Sequence, residues 1–355
     1  MRVVFLTVIM MKNNKIKIII GCLVGLLVVG VVCAISGYCI LLKSNVKDIE
    51  TKQFILVYPE DNQDEILKKI EETNCVKNMS TLKMVASVFN LQEKKKSGRY
   101  ELKSGESNME IVRKIIYGRQ SPVRISFNAV RTKEILAEKI TEKLQMSADD
   151  FLEALESPET LQKYGLTSET IISLFLPNTY EVYWNITPAD LIERMKKEYD
   201  KFWTDDRKAR LADCNLTQTE VSTLASIVEE ETLKKDEKPM VAGLYLNRLR
   251  IGMALQADPT VKFALQDFSL KRIYGGHLQC DSPYNTYKYA GLPPGPIRTP
   301  SADGIDAVLN YTHHNYIYMC AKEDFSGYHN FASTYAAHQE NAQKYRRALN
   351  RLNIR

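Results

Sequence analysis

Three consecutive glutamates near the end of a predicted helix are well suited to acid–base chemistry. The helix carries an apolar stripe whose members recur at helical spacing, namely Val221, Leu224, Ala225 and Val228, with Ile227 at its edge. Continuing the stripe by three residues reaches Glu231, whereas Glu230 is expected on the solvent side and Glu229 at the flank. A carboxyl group that faces an apolar interior is costly to ionise, and a general acid must be protonated. The alternative is a solvated acidic helix end, and helical phase alone does not choose between the two.

Local signals predict where this helix and the next one begin and end. Thr217 is expected at the N-cap with Glu220 at N3, which is the spacing of a capping box. The following helix is expected to carry Asn247 and Arg248 late in its length. It should end near Gly252, a residue typical of position C′.

Five blocks of unusual sequence follow one another between about residues 216 and 348. They are LASIVEEET (224–232), NRLRIGMALQADPTV (247–261), SPYNTY (282–287), GLPPGPI (291–297) and HNF (329–331) with a later His338. In these blocks the chain resembles the catalytic domain of the MltG (YceG-like) endolytic murein transglycosylases. The resemblance implies that the catalytic residue is the glutamate immediately before a threonine in the first block. That residue is Glu231, the one that helical phase also selects.

The resemblance implies a lytic reaction that uses one carboxyl group, where glycoside hydrolysis usually takes two. Protonated Glu231 would donate its proton to the oxygen of the β-1,4 bond between N-acetylmuramic acid and N-acetylglucosamine. The same group would then remove the proton of the muramyl 6-hydroxyl, which closes on C1 and leaves a 1,6-anhydro end. Cutting nascent peptidoglycan in this way would limit glycan strand length. The alternative function is a non-catalytic, membrane-anchored scaffold that binds peptidoglycan during wall synthesis or division.

Polar and aromatic residues of the matching blocks are candidates for substrate binding. They are Gln256 and Asp258 in the loop after the second helix, Ser282, Tyr284, Asn285 and Thr286 beside Tyr287, and His329. Hydroxyl and amide groups bond sugar hydroxyls, and aromatic faces pack on sugar rings. The alternative is that Asn285 and the tyrosines hold a loop through backbone hydrogen bonds. The prolines of residues 291–297 predict a rigid loop that is either a cleft wall or a turn.

No cofactor, metal or nucleic acid is expected. The five histidines include the adjacent His313 and His314 and the pair His329 and His338, and these spacings do not match a zinc site. Gly275 and Gly276 lack the lysine and hydroxyl residue of a phosphate-binding loop. The formal charge of +5 is distributed among interspersed acidic and basic residues, which does not favour nucleic-acid binding.

A membrane-spanning helix is predicted over residues 18–42, which contain no charged residue. At about 1.5 Å per residue this stretch spans a hydrocarbon core of about 30 Å. Arg2, Lys12, Lys15 and Lys17 precede it, so the N-terminus is expected in the cytoplasm of an inner-membrane protein and the catalytic domain in the periplasm. A cleaved signal peptide fits less well because the apolar stretch is long. A lipoprotein site at Cys22 is disfavoured because most of the apolar run follows it.

Four cysteines lie beyond the predicted span, at positions 75, 214, 280 and 320. An oxidising compartment allows disulfides among them, but no spacing requires one. Both disulfides and free thiols stay open for Cys75, Cys214, Cys280 and Cys320.

Three segments between the span and the catalytic blocks share a strand–turn–helix pattern, at residues 55–70, 100–115 and 123–140. Their spacing is irregular, which excludes a solenoid. The second segment resembles the start of a LysM module, which implies binding of glycans that contain N-acetylglucosamine. The alternative is a packing scaffold without a sugar contact.

The sequence therefore predicts an α+β protein in five parts. These are a cytoplasmic N-terminus (1–17), a transmembrane helix (18–42), a small LysM-like α/β domain (43–120), a connecting α/β region (121–210) and a mixed α/β catalytic domain (211–355). The resemblance implies that its partners are peptidoglycan glycan strands and the glycan polymerases and transpeptidases that build the wall.

Overall fold

The computed structural model describes residues 2–270 and 272–352, with side chains from residue 17 onward. The chain divides into two compact units, one formed by residues up to 122 with 183–185 and the other by 123–182 with the residues from 186. The structure does not separate a connecting region of residues 121–210 from the residues that follow, because both parts belong mainly to the second unit.

The first element is a long helix, α1 (Arg2–Leu41). Within it, Lys17–Leu41 has a mean hydropathy of 3.1 and none of its most apolar window is buried, so it is a candidate membrane span by length and composition. The C-terminal end of α1 is part of the first unit. Asn108 donates a hydrogen bond to the carbonyl of Ile40 at 2.8 Å, and Ile40 and Leu41 pack against the core of that unit.

The first unit continues with a two-stranded sheet and its helices. In chain order they are β1 (Gln53–Val57), α2 (Gln63–Glu72), α3 (Met79–Val88), α4 (Leu91–Lys94), β2 (Gly98–Leu102) and α5 (Asn108–Ile116). The strands are antiparallel, with Ile55 opposite Tyr100. Capping boxes at Asn62 and Ser107 start α2 and α5, because each side chain satisfies an otherwise unpaired N–H group of the first turn. The first two predicted strand–turn–helix segments are therefore confirmed.

The second unit contains four strands and ten helices among the residues described. Its elements are β3 (Val123–Phe127), α6 (Lys133–Thr141), α7 (Ala148–Glu156), α8 (Pro158–Tyr164), β4 (Asn178–Val182), α9 (Pro188–Phe202), α10 (Asp205–Cys214), α11 (Gln218–Glu231), α12 (Lys238–Arg250), α13 (Asp258–Leu265), α14 (Ala302–Leu309), β5 (Tyr318–Ala321), β6 (His329–Ala332) and α15 (Tyr335–Arg351). Two 3₁₀ turns lie at Ile171–Leu174 and His277–Gln279. Antiparallel pairing joins β3 to β4 and β5 to β6. The third strand–turn–helix segment and the mixed α/β character are confirmed.

Helix α11 forms the centre of the second unit and packs against α12 and α14. Its predicted capping box is present, because Thr217 accepts from the N–H of Glu220 and Glu220 accepts from the N–H of Thr217 at 2.7 Å. Every residue from 221 to 229 is buried. The predicted stripe residues are therefore buried as expected, but the prediction of a solvent side was wrong, since Ser222, Thr223 and Ser226 are buried as well.

The end of α12 follows the prediction. Gly252 has φ +67°, and the N–H groups of Gly252 and Met253 donate to the carbonyls of Leu249 and Arg248. These two bonds are a Schellman motif, which favours glycine because of the left-handed backbone. One boundary differs, because Asp258 is the first residue of α13 and only Gln256 lies in the loop.

The cysteines at 75, 214, 280 and 320 are free thiols. Cys75 and Cys214 are buried, which is a common setting for a free cysteine.

Candidate active site

The carboxyl group of Glu231 lies at the C-terminal end of α11 and is bonded to the neighbouring helix. The hydroxyl of Tyr245, a buried residue of α12, donates to Oε1 of Glu231 at 2.8 Å. Glu231 keeps partial exposure, so a ligand can reach it. Burial of the carboxyl raises the pKa of Glu231 from 4.5 to about 7. The hydrogen bond from Tyr245 opposes this rise, since it favours the ionised form.

Charged neighbours adjust the same pKa in both directions. The negative charge of Asp258 raises the pKa of Glu231, while the positive charge of Arg248, and a proton on the His329 ring when one is bound, lower it. These three residues come from α13, β6 and α12, so the fold gathers them around the end of α11. The result is a carboxyl group whose pKa lies near neutral pH.

Glu229 serves the packing of the second unit. It is 7% exposed, and its carboxylate accepts from the N–H of Ser301 at 3.0 Å, from the Ser301 hydroxyl and from Lys238 at 3.2 Å. Ser301 is the N-cap of α14. A Cβ atom on Gly304 would lie 2.6 Å from the Glu229 carboxyl carbon, so this close approach requires glycine. Glu229 thus joins α11 to α14, and its predicted place at the flank is corrected to a buried one.

Glu230 was predicted to face solvent, but in the structure it does not. Its side chain is 18% exposed and accepts from Arg298 at 2.7 Å and from Arg131 at 3.0 Å. The two arginines therefore lie on the side of α11 that was predicted to face solvent. Among the three glutamates, only Glu231 has no cation within 4.0 Å in the part of the chain that the structure describes.

Asp258 and Arg248 line the surroundings of Glu231 in different ways. Asp258 is exposed and accepts from the hydroxyl of Tyr287 at 2.6 Å. Arg248 is buried and donates to the carbonyls of Ile317 and Leu255 at 2.6 and 2.5 Å. Burial lowers the pKa of Arg248. Arg248 thus contributes a positive charge that its two backbone hydrogen bonds hold in place.

His329 is held at the site by Glu237. Its Nδ1 lies 3.0 Å from Oε2 of Glu237, and its backbone N–H donates to Oε1 at 2.6 Å. The His329 ring lies close enough to Glu231 for a proton bound to it to lower the pKa of that carboxyl.

Two residues that were predicted to bind substrate are buried, so a ligand cannot contact their side chains. Asn285 is fully buried and donates to the carbonyls of Leu278 and Cys280, both at 2.9 Å. Thr286 is 1% exposed and accepts from the N–H of Ala257 at 3.0 Å. Asn285 therefore makes the backbone hydrogen bonds that the loop-holding alternative describes, and Thr286 satisfies a backbone N–H group in the same way.

The remaining predicted residues are more accessible. Gln256 is exposed, with its backbone N–H bonded to the Thr286 carbonyl. Ser282 accepts from the N–H of Tyr284 at 3.3 Å. Tyr284 packs on Phe263 with ring centroids 4.6 Å apart and lines a cavity of about 260 Å³ whose lining residues do not include Glu231. Asp258 and His329 thus lie close enough to Glu231 to shift its pKa, whereas Tyr284 contributes to a cavity that Glu231 does not line.

Sequence reasoning missed Tyr245, Glu237 and the role of Arg248. Tyr245 and Arg248 are three residues apart on α12, so they share one helix face. That spacing was the available signal. Nothing in the local pattern marks Glu237, since its partners are the C-cap residue of α11 and a residue of the distant strand β6.

The prolines of residues 291–297 belong to a loop that packs closely on the rest of the second unit. A Cβ atom on Gly295 would lie 2.2 Å from the carbonyl oxygen of Glu169, so only glycine fits there.

Among the described residues no cluster of three or more metal-ligating side chains occurs.

Comparison with known proteins identifies the family. The model of the YceG-like family matches residues 55–344, so the chain belongs to this family. It is similar to a protein of Streptococcus pneumoniae named endolytic murein transglycosylase, with 27% identity over 310 residues, which cover 77% of this chain and 55% of that protein. A Bacillus subtilis protein of the same name is 33% identical over 156 residues, covering 44% of this chain and 42% of its own. The chain therefore spans about half the length of these curated relatives.

A solved structure has the same fold. It is a crystal structure of a YceG-like protein from Listeria monocytogenes, with a TM-score of 0.54 and 25% identity, covering 82% of this chain and 99% of that one. The expectation drawn from the sequence blocks, that the chain is a member of the MltG (YceG-like) family, is confirmed.

Proposed function

We propose that this chain is a membrane-anchored endolytic lytic transglycosylase that cuts peptidoglycan strands with Glu231 as its general acid and base. The observation that carries the proposal is the pKa of Glu231, which burial raises to about 7 beside the Tyr245 hydroxyl. A group with a pKa near neutrality can donate a proton and take one back. The names of the relatives from Streptococcus pneumoniae and Bacillus subtilis support the same activity.

In the proposed reaction, protonated Glu231 gives its proton to the oxygen that links the muramyl C1 to the next sugar. The C1–O bond breaks, and the ring carries positive charge. The ionised Glu231 then takes the proton from the muramyl 6-hydroxyl, whose oxygen bonds to C1. One bond is broken and one is formed, no water is consumed, and Glu231 ends protonated. General acid–base catalysis of this kind contributes about 10²–10⁴-fold to a rate.

The neighbours of Glu231 have separate parts in this reaction. The Tyr245 bond to Oε1 stabilises the carboxylate after the first transfer and leaves Oε2 to face the sugar. The fixed charge of Arg248 acts in the same sense. Asp258, exposed and bonded to Tyr287, is proposed to bind sugar hydroxyls together with Gln256 and Ser282.

The apolar part of α1 is proposed to hold the enzyme in the membrane. The basic residues before Lys17–Leu41 favour a cytoplasmic N-terminus, with the rest of the chain on the cell-wall side. Anchoring there favours nascent glycan strands as substrate, and the glycan polymerases and transpeptidases that build them as partners. Glycan binding by the first unit is a further proposal, which rests on the LysM-like pattern of residues 100–115, where β2 is followed by a turn and α5.

A digest of purified uncrosslinked glycan strands tests the proposal. The full chain in detergent, its Glu231→Gln variant and a Glu138→Gln control are compared by mass spectrometry of the products. Glu138 is an exposed glutamate of α6, so its substitution matches the chemistry of the change without touching the site. We expect 1,6-anhydro ends from the wild type and the control, and none from Glu231→Gln.

Other products would contradict the proposal in distinguishable ways. Reducing ends would mean that water attacks C1 and that the protein is a hydrolase. Retained glycan binding without any cleavage would favour the non-catalytic scaffold. Anhydro ends released at the wild-type rate by Glu231→Gln would remove Glu231 from the mechanism.

A further inference from the structure

One buried carboxylate, that of Glu237, joins the segment after Glu231 to the strand that carries His329. Oε2 of Glu237 accepts from the Thr232 hydroxyl at 2.8 Å and faces Nδ1 of His329 at 3.0 Å. Oε1 accepts from the His329 backbone N–H at 2.6 Å. The Glu237 side chain is 4% exposed. A buried carboxylate is costly unless its oxygens are bonded, and here three donors converge on it.

The chemistry of this contact determines which ring nitrogen of His329 carries a proton. An ionised carboxylate only accepts hydrogen bonds, so Nδ1 must be the donor. Nε2 is then the nitrogen that is left for other interactions. In the ranges 17–270 and 272–352, no protein group forms a hydrogen bond with Nε2.

The other partner of Glu237 is covalently next to the proposed acid. Thr232 follows Glu231 directly, is 3% exposed and forms the C-cap of α11. Its hydroxyl donates to Glu237 and accepts from the N–H of Lys234 at 3.1 Å. The same carboxylate therefore fixes the end of α11 and the imidazole from β6, which lie about a hundred residues apart in the chain.

We propose that Glu237 is a positioning residue that holds His329 in its Nδ1–H form, so that Nε2 accepts a hydrogen bond from a sugar hydroxyl beside Glu231. This inference rests on the proposed function, because the glycan is the ligand that Nε2 would bind. Glu237 itself touches no substrate and acts through His329.

Other ionisable groups surround the contact without replacing it. Lys234 and Asp236 lie on the same loop, and Asp236 accepts from the Tyr328 hydroxyl at 3.0 Å. Tyr245, Arg248 and Asp258 are on the Glu231 side. Asp236→Asn is therefore a matched control, since it removes a neighbouring carboxylate that does not contact His329.

The first test reads the protonation of the ring directly. Full-length protein in detergent with ¹⁵N-labelled histidine gives the ring nitrogen shifts by NMR, and a His329→Gln variant assigns the signal of His329. We expect an Nδ1–H tautomer in the wild type and in Asp236→Asn. In Glu237→Ala we expect that tautomer to be lost, and in Glu237→Asp to be partly regained. An unchanged His329 spectrum in Glu237→Ala would overturn the inference, and this readout does not depend on whether the protein cleaves glycan.

The second test measures whether Glu237 and His329 contribute to the rate through the same interaction. Misplacing a group at the site by about 1 Å costs about 10²-fold in rate, so Glu237→Ala and His329→Gln should each reduce kcat/KM for glycan cleavage by up to that factor. If Glu237 acts through His329, the double variant loses no more than the His329→Gln variant alone. Multiplying losses would instead indicate an independent structural role and contradict the inference. Absence of anhydro products from the wild type would contradict the proposed function while leaving the NMR result valid.

Discussion

Replacing Glu231 with glutamine keeps the size of the side chain and an oxygen for the Tyr245 hydroxyl, but removes its ionisation. In the folded protein, burial raises the pKa of Glu231 from 4.5 to about 7. Between these pH values the unfolded chain releases its proton while the folded protein retains it. The folded state then binds more protons, so the free energy of unfolding of the wild type falls as pH rises from about 4.5 to about 7.

The size of this effect follows from the two pKa values. One pKa unit corresponds to about 1.4 kcal/mol, so the loss approaches about 3 kcal/mol above pH 7. Glutamine does not titrate. The free energy of unfolding of Glu231→Gln should therefore match that of the wild type below about pH 4.5 and exceed it by up to about 3 kcal/mol at pH 8. For a domain of this size that corresponds to a Tm increase of about 6–12 °C.

Thermal unfolding followed by circular dichroism between pH 4 and pH 8 measures the difference. The quantity of interest is the Tm of Glu231→Gln minus that of the wild type at each pH, because other titrating groups cancel in it. Glu138→Gln serves as the control, since Glu138 is exposed on α6 of the same unit. A Tm difference that stays constant across this pH range would refute the reasoning, because it would show that Glu231 has the same pKa in the folded and unfolded states.

Three further predictions concern the surroundings of Glu231. Tyr245→Phe removes the bond that lowers the pKa of Glu231, so the alkaline limb of the pH–rate profile for anhydro product release should move to higher pH. Asp258→Asn removes a negative charge that raises the same pKa, so that limb should move to lower pH, and a shift in the same direction as Tyr245→Phe would contradict the assignment. Asn285→Ala leaves two part-buried carbonyls without their donor, which should destabilise the second unit by about 1–3 kcal/mol in denaturant titrations while leaving the pH–rate profile in place.

Local structure was predictable where its causes are local. The capping box of Thr217 and Glu220 is confirmed, and so is the glycine that ends α12, because both depend on side chains within one turn of the helix terminus. The three strand–turn–helix segments are confirmed for the same reason, since alternation and helical periodicity act over a few residues.

The predicted orientations of the three glutamates show the limit of reasoning from local sequence. They assumed that α11 has a solvent face, whereas α11 is enclosed by α12, α14 and the loops that carry Arg131 and Arg298. Glu230 consequently meets two arginines and Glu229 meets Lys238 and Ser301. Asn285 and Thr286 were misplaced similarly, since a polar residue in a loop has the same sequence signature whether it faces a ligand or a buried carbonyl.

The sequence by itself determined the apolar span, the capped start of α11 and the three strand–turn–helix segments, and it predicted Glu231 as the catalytic residue. Hydropathy, capping and motif spacing are properties of neighbouring residues. Only the tertiary structure decided the chemistry of that carboxyl group. Its pKa depends on the burial of the end of α11 and on Tyr245, Asp258 and His329, which reach it from other elements. The position of His329 depends in turn on Glu237, 92 residues away in the chain. Desolvation and Coulomb interaction act through space over a few ångströms, so they are fixed only when the chain has packed.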